Sequence, residues 1–286
     1  KDFGHTSSVA VSMMQSLSQA LEYYLSDNKT SKIKMLFEEW KTLYGQVADL
    51  SIEQLKNLDK TISFEWNGDS SLSIPARLFV IHTYNSLLIK LMAAEIISAH
   101  GLTSKKNPAE EMSTLLSDDA LIERLQIDVE RGVLFSEAGI SGFVEEVIFS
   151  WYLDACDSVS TKNLITNALR DILSKLSLYR TDRLDHTRDV LRDFYQDLVP
   201  EVLRKSLGEF YTPDWLVEFT IDKFNISDWR NIRALDPTCG SGSFLIELIR
   251  RKKKQYEKQN LSPREIVENI CDTVWGFDLN PLAVQT

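Results

Sequence analysis

The stretch Asp236-Pro237-Thr238-Cys239-Gly240-Ser241-Gly242-Ser243-Phe244-Leu245 decides how this chain is read. The apolar residues Ile232, Ala234 and Leu235 lead into it and end at an acid. Two glycines follow, two residues apart, and then a run with helical character. This order predicts a strand, a tight turn and a helix N-terminus, an arrangement that turns backbone N–H groups toward a nucleotide-like ligand. Gly240 and Gly242 admit positive φ and carry no Cβ to block close approach. Asp236 falls at the carboxyl end of the strand, where ligands of open α/β sheets bind.

Outward from that turn, the chain alternates helix and strand from residue 206. Thr212 caps and Pro213 opens a helix to about residue 223, and 230–236 is a short strand. Residues 242–259 form a helix, and Ser262-Pro263-Arg264-Glu265 starts another with a capping signal. A second strand spans 273–278, and Asn280-Pro281 opens a last helix. The order is β-α-β with the rest of a sheet missing.

Residues 1–205 read instead as helices joined by short polar turns. The stretch 33–50 has apolar residues at the helical period, and Ser51-x-x-Gln54 is a capping box. Residues 67–71 are a turn, and further helices are expected over 118–131, 143–157, 161–178 and 186–198. Thr161 is the expected N-cap of its helix. Pro200 ends the long helix before it, and Gly208 closes the short one after. The stretch 75–100 is apolar on nearly every face but carries Arg77, His82, Asn85, Lys90 and Glu95. A membrane span is about 20 residues with few or no charges, so this reads as a buried central helix. Pro75 suits its first turn and Gly101 its C-cap.

Bulk properties fit a folded, reduced protein. The 286 residues are 43% hydrophobic and 26% charged, with a formal net charge of −10 and a pI near 5.0. An acidic average argues against non-specific nucleic-acid binding by the whole chain. The three cysteines (156, 239 and 271) are scattered, and the four histidines lack ligand spacing, so no metal site is expected. A cytoplasmic setting without membrane association is expected, and no signal peptide is visible. The chain starts at Lys1 rather than Met, so residues upstream are expected to have been removed or to lie outside it.

Two further motifs flank the first. Leu207-Gly208-Glu209-Phe210-Tyr211-Thr212-Pro213 precedes it, and Trp275-Gly276-Phe277-Asp278-Leu279-Asn280-Pro281 follows at the end of the next strand. A carboxylate at that strand end is placed to accept from ribose hydroxyls. The three in this order resemble the DNA methyltransferases that modify adenine N6, above all the large enzymes of restriction–modification systems. The resemblance covers about 205–286, and the helical part resembles the N-terminal domains of such enzymes more weakly. It implies S-adenosyl-L-methionine as cofactor and DNA as substrate, with specificity or restriction subunits or domains as possible partners. By the same resemblance Phe210, Tyr211, Thr212 and Pro213 line the methionine end. Asp236, Pro237, Thr238, Cys239, Gly240, Ser241 and Gly242 meet the amino-acid and sugar region, and Asp278 with Leu279 the ribose.

The implied fold is a mostly α domain (1–205) followed by the start of an α/β, Rossmann-like methyltransferase domain (206–286), truncated. The family's catalytic Asn/Asp-Pro-Pro-aromatic segment is missing, because no two of the seven prolines are adjacent. No catalytic residue is therefore assigned. The chain is expected to be an inactive piece of a longer enzyme, since two strands leave sheet edges open. Asp27-x-Lys29 precedes Pro213-Asp214, the wrong order for a metal nuclease core, and no base-reading region is visible. Cys239 has no partner base to make it a nucleophile. The run Arg250-Arg251-Lys252-Lys253-Lys254 reads as a solvated face near a helix end, with DNA phosphate contact as the alternative. Two rival readings stand beside this one: a non-catalytic helical partner-docking module with an inert remnant, and an RNA or protein methyltransferase.

Overall fold

The computed structural model describes residues 2–26, 31–45, 72–143, 147–179, 181, 204, 212–259 and 261–284. The capping box at Ser51, the turn at 67–71, the helix at 186–198, Pro200, Gly208, Phe210 and Tyr211 lie outside these residues. The chain forms two compact units, Lys1–Gly208 and Glu209–Thr286. The described residues are mostly helical, with one small parallel sheet of two strands.

In the first unit the helices are α1 (Ser8–Ser26), α2 (Lys32–Gly45), α3 (Ile74–Ala99), α4 (Pro108–Ser113), α5 (Asp118–Leu125), α6 (Val133–Glu137), α7 (Trp151–Ala155) and α8 (Val159–Leu176). Helix α3 is the core element. Among the described residues it alone is long and apolar enough to cross a membrane, but 94% of its most apolar window is buried inside the unit. Several of its polar side chains are paired: the Lys90 ammonium donates to Glu130 at 2.7 Å, and the Tyr152 hydroxyl donates to the same carboxylate at 2.6 Å. Asn85 meets His5 at 3.1 Å, and Trp151 donates its indole N–H to Thr83 at 2.7 Å. Partners of this kind let a helix carry charges through a dry core. Rings from two helices converge on Phe79, with Trp40 at 5.2 Å, Phe37 at 5.5 Å and Trp151 at 5.7 Å.

Helix α3 begins with Pro75 in its first turn and ends in a Schellman motif. Gly101 has φ +67, its N–H reaches Ser98 O at 2.9 Å, and the Leu102 N–H reaches Ile97 O at 3.0 Å. Helix α1 packs on α8 and α3. The sequence marks no helix there individually, because serines interrupt its apolar pattern; two of them donate back to the preceding turn, Ser16 to Ser12 O at 3.0 Å and Ser18 to Met14 O at 2.7 Å.

Three expected helices differ. The 118–131 stretch is α5 followed by a π-helical turn, Gln126–Glu130, that carries the buried Glu130. The described part of the 143–157 stretch from 147 on is a 3₁₀ turn (Val147–Ser150) followed by α7, with Phe149, Trp151 and Tyr152 all buried. Helix α8 starts two residues before Thr161 with Ser158 as N-cap. The Thr161 hydroxyl donates to the carbonyls of Ala155 and, at 3.1 Å, Ser158, so it braces the first turn from inside.

The second unit contains α9 (Asp214–Asp222), β1 (Ala234–Asp236), α10 (Ser243–Glu257), α11 (Pro263–Cys271), β2 (Val274–Gly276) and α12 (Pro281–Val284). The strands are parallel, in the register Ala234↔Val274, Leu235↔Trp275 and Asp236↔Gly276. They are shorter than the sequence suggests, since pairing with a single neighbour defines only three positions in each. Helix α9 begins one residue later than expected. Pro213 is its extended N-cap, and its carbonyl accepts the Leu216 and Val217 N–H groups at 2.9 and 3.1 Å. Ser262 and Glu265 form the expected capping box of α11. Val217, Ile221 and Trp229 make the unit's buried core with Ile226, Ile232, Phe244 and Leu248 around them.

Candidate functional site

Strand β1 ends at Asp236, and the chain must reverse at once to enter α10. The Asp236 side chain starts the reversal by accepting the Thr238 N–H at 3.1 Å, a turn that aspartate forms with its own backbone. Gly240 and Gly242 complete it with φ +55 and +82, and Gly242 is the N-cap of α10. The Gly242 N–H closes on Cys239 O at 2.8 Å, and the Gly242 carbonyl accepts from Ile246 at 2.8 Å. The glycines of the motif thus sit where positive φ is required.

The second motif lies beside this loop. Its strand hands over at the same level: the Phe277 N–H donates to Asp236 O at 2.9 Å, and the Cys239 N–H donates to Phe277 O at 2.9 Å. Asp278 then grips both loops, accepting the Gly240 N–H on Oδ2 at 2.8 Å and the Asn280 N–H on Oδ1 at 2.8 Å. The Asn280 side chain accepts the Ala283 N–H at 3.3 Å, which starts α12. Asp236, Cys239, Gly240 and Asp278 therefore converge at the carboxyl ends of both strands. Leu279 is next to them in sequence and 88% exposed.

Gly276, within the second motif, is confined by the loop that follows β1. A Cβ there would stand 2.5 Å from Leu245 Cδ1, 2.9 Å from Cys239 Sγ and 3.0 Å from Cys239 Cβ. Its signal was its position at the last paired residue of β2, facing Asp236 in the register. Cys239 is held between the two acids. Partial burial, then the nearby carboxylates of Asp278 and Asp236, push its thiol above the ordinary range. Ser241 Oγ is buried and has no hydrogen-bond partner among the described residues.

The other expected contacts are less assembled. Thr212 and Pro213 precede α9 in the same unit, Pro213 exposed, while Phe210 and Tyr211 lie outside the described residues. Pro237 and Thr238 are exposed on the loop. The basic run 250–254 is not one solvated face: Lys252 is fully buried. Arg251 pairs with Glu247 and Asp222, each at 2.8 Å, and lies over the Trp229 ring. Among the described residues no group of three or more His, Cys, Asp or Glu side chains could hold a metal ion.

A Gly-rich turn is thus bound to the acid that follows the next parallel strand. Residues 186–268 match the family model of the N-6 DNA methylases. Through this region the chain is similar to the N6-adenine DNA methyltransferases. It is 32% identical over 102 residues to the adenine-specific methyltransferase PglX of Streptomyces coelicolor, covering 33% of this chain and 8% of that protein. It is 26% identical over 164 residues to the type I restriction enzyme EcoEI methylase subunit of Escherichia coli, covering 54% of this chain and 31% of that one. Against the type I restriction enzyme MjaIX methylase subunit of Methanocaldococcus jannaschii the figures are 22% over 237 residues, 71% and 40%. The chain thus spans less than half the length of these curated relatives. No solved structure matches it.

Proposed function

We propose that this chain is part of an S-adenosylmethionine-dependent DNA adenine N6-methyltransferase of a restriction–modification system, and that it supplies part of the cofactor site. In this reading residues 1–205 are a helical domain and 206–286 open a Rossmann-like methyltransferase domain. The observation that carries it is the bond from the Gly240 N–H to the Asp278 carboxylate, which joins two of the three motifs at the strand ends.

The residues suit the cofactor. Gly240 and Gly242 carry no Cβ, and the Ser241 hydroxyl is a buried group without a hydrogen-bond partner among the described residues. The Asp278 carboxylate accepts two backbone N–H bonds and, with about four lone-pair sites, retains capacity for sugar hydroxyls. Asp236 to Gly242 would hold the amino-acid and sugar region, Asp278 and Leu279 the ribose, and Phe210 to Pro213 the methionine end. When bound, S-adenosylmethionine supplies the sulfonium methyl group. This chain's residues bind and orient it, whereas the groups that take up the flipped adenine belong to a segment the chain lacks.

DNA is the proposed substrate, with specificity or restriction subunits as partners and the cytoplasm as location; the names of the type I relatives support the subunit reading. The test is N6-methyladenine, measured by mass spectrometry in DNA from cells expressing the entire gene. The proposal expects it to be present and lost with Asp236→Ala, while the 286-residue chain alone transfers no methyl group. Absence from the whole-gene cells, or turnover by the chain alone, would overturn this assignment.

A further inference from the structure

Within the basic run 250–254, one residue is unlike a surface lysine. Lys252 is fully buried. Its ammonium donates to three carbonyls of the segment that leads into β1: Trp229 at 2.9 Å, Arg230 at 3.2 Å and Ile232 at 2.5 Å. An ammonium has three N–H donors, so all are used. Two neighbours on α10 grip the same segment. Gln255 accepts the Trp229 N–H at 2.6 Å and donates to Ser227 O at 2.9 Å, and the Tyr256 hydroxyl donates to Arg230 O at 2.7 Å. Burial lowers the Lys252 pKa and the Asp228 charge opposes that, so the amine is kept at some electrostatic cost.

The segment and helix run antiparallel over matching lengths. From Ile232 to Asp236 an extended chain covers roughly 13 Å, and from Ser243 back to Lys252 a helix covers roughly 14 Å. The two elements are therefore joined at both ends, by the 237–242 turn at one and by Lys252 at the other. A helix free at its far end can slide along its strand, which would shift Gly242 against Asp236. Three carbonyls converging on one nitrogen forbid that slide.

We infer that Lys252 is a positioning residue: it fixes the axial register of α10 against β1 and so holds the Asp236–Gly242 loop in the geometry that binds the cofactor. The inference rests on the cofactor reading above, so its test has a readout independent of any ligand. In the full chain, amide hydrogen exchange at Gly240 reports the loop and exchange at Leu248 reports the body of α10. Lys252→Met is expected to speed Gly240 exchange roughly tenfold more than Leu248 exchange, the scale of leaving buried carbonyls unpaired. Equal acceleration of both amides would mean general loosening and would overturn the inference. Should Lys252→Met fail to fold, Tyr256→Phe removes one bond to Arg230 O, and the same ratio must rise by a smaller factor; no rise overturns the inference. Calorimetric titration with S-adenosylmethionine should show about tenfold weaker binding by Lys252→Met. Unchanged affinity beside a wild-type chain that binds would also overturn it. A wild-type chain that does not bind refutes the cofactor reading instead, and the exchange ratio then decides the register claim alone.

Discussion

Gly276→Ala is the smallest change that should disturb the loop without touching a polar group. The new methyl would lie 2.5 Å from Leu245 Cδ1, where carbon atoms prefer about 3.5–4.0 Å, an overlap of at least about 1 Å. Leu245 can rotate away. Cys239 cannot easily do so, because its Cβ and Sγ would stand 3.0 and 2.9 Å from the methyl and its own N–H is tied to Phe277 O at 2.9 Å. Retreat of Cys239 loosens that bond and carries the Gly240 N–H off Asp278. Overpacking of this kind costs about 1–3 kcal/mol, and a weakened backbone hydrogen bond adds about 1 kcal/mol. Urea unfolding followed at the tryptophans of the second unit should therefore show a loss of roughly 2–3 kcal/mol. Adding Cys239→Ala should recover part of it, since Sγ is removed while Cβ remains. A Gly276→Ala chain within about 0.5 kcal/mol of wild type, with an unaltered Gly240 amide, would refute the claim that β2 needs a glycine there.

Two further outcomes follow from the titrating groups. Burial, with a smaller contribution from the charge of His5, holds His82 at about 3 in the folded helical unit, well below its unfolded value. The unfolded chain binds the extra proton first, so stability falls as pH drops below about 6.5, by about 1.4 kcal/mol per unit for this side chain. His82→Phe, in a setting of Trp40 and Phe149 rings, should flatten the slope of the urea midpoint against pH; an unchanged slope would reject it. Alkylation by iodoacetamide at pH 8, mapped by mass spectrometry, should run Cys271 before Cys239 before Cys156. Cys271 is exposed, Cys239 is half-buried with its thiol pushed up, and Cys156 is buried and pushed up to about 12. Faster reaction at Cys239 than at Cys271 would contradict the account of its surroundings.

What could be read directly from the sequence was what short-range chemistry dictates. The turn at Gly240 and Gly242, the capping box at Ser262 and the glycine at the end of α3 each depend on a few adjacent residues, and the structure has them. What escaped depended on distant contacts. Nothing in Arg250-Arg251-Lys252-Lys253-Lys254 distinguishes the buried lysine from the residues beside it; three carbonyls some 20 residues away do. Gly276 matters only because α10 brings Leu245 and Cys239 over it. The 143–157 stretch has helical periodicity, but its described part from 147 on is a 3₁₀ turn followed by α7, with Phe149 and Trp151 in the Phe79 cluster. Asp278 reads as a sugar acceptor in sequence, and in the structure it first organises two loops.

The most direct test of the central claim is calorimetric titration of the chain with S-adenosylmethionine, alongside Asp278→Ala and Asp236→Ala. The account predicts that the wild-type chain binds and that each substitution weakens binding by about 1–3 kcal/mol, the scale of a charge-assisted hydrogen bond. No binding by the wild type, or equal affinity in all three, would contradict it.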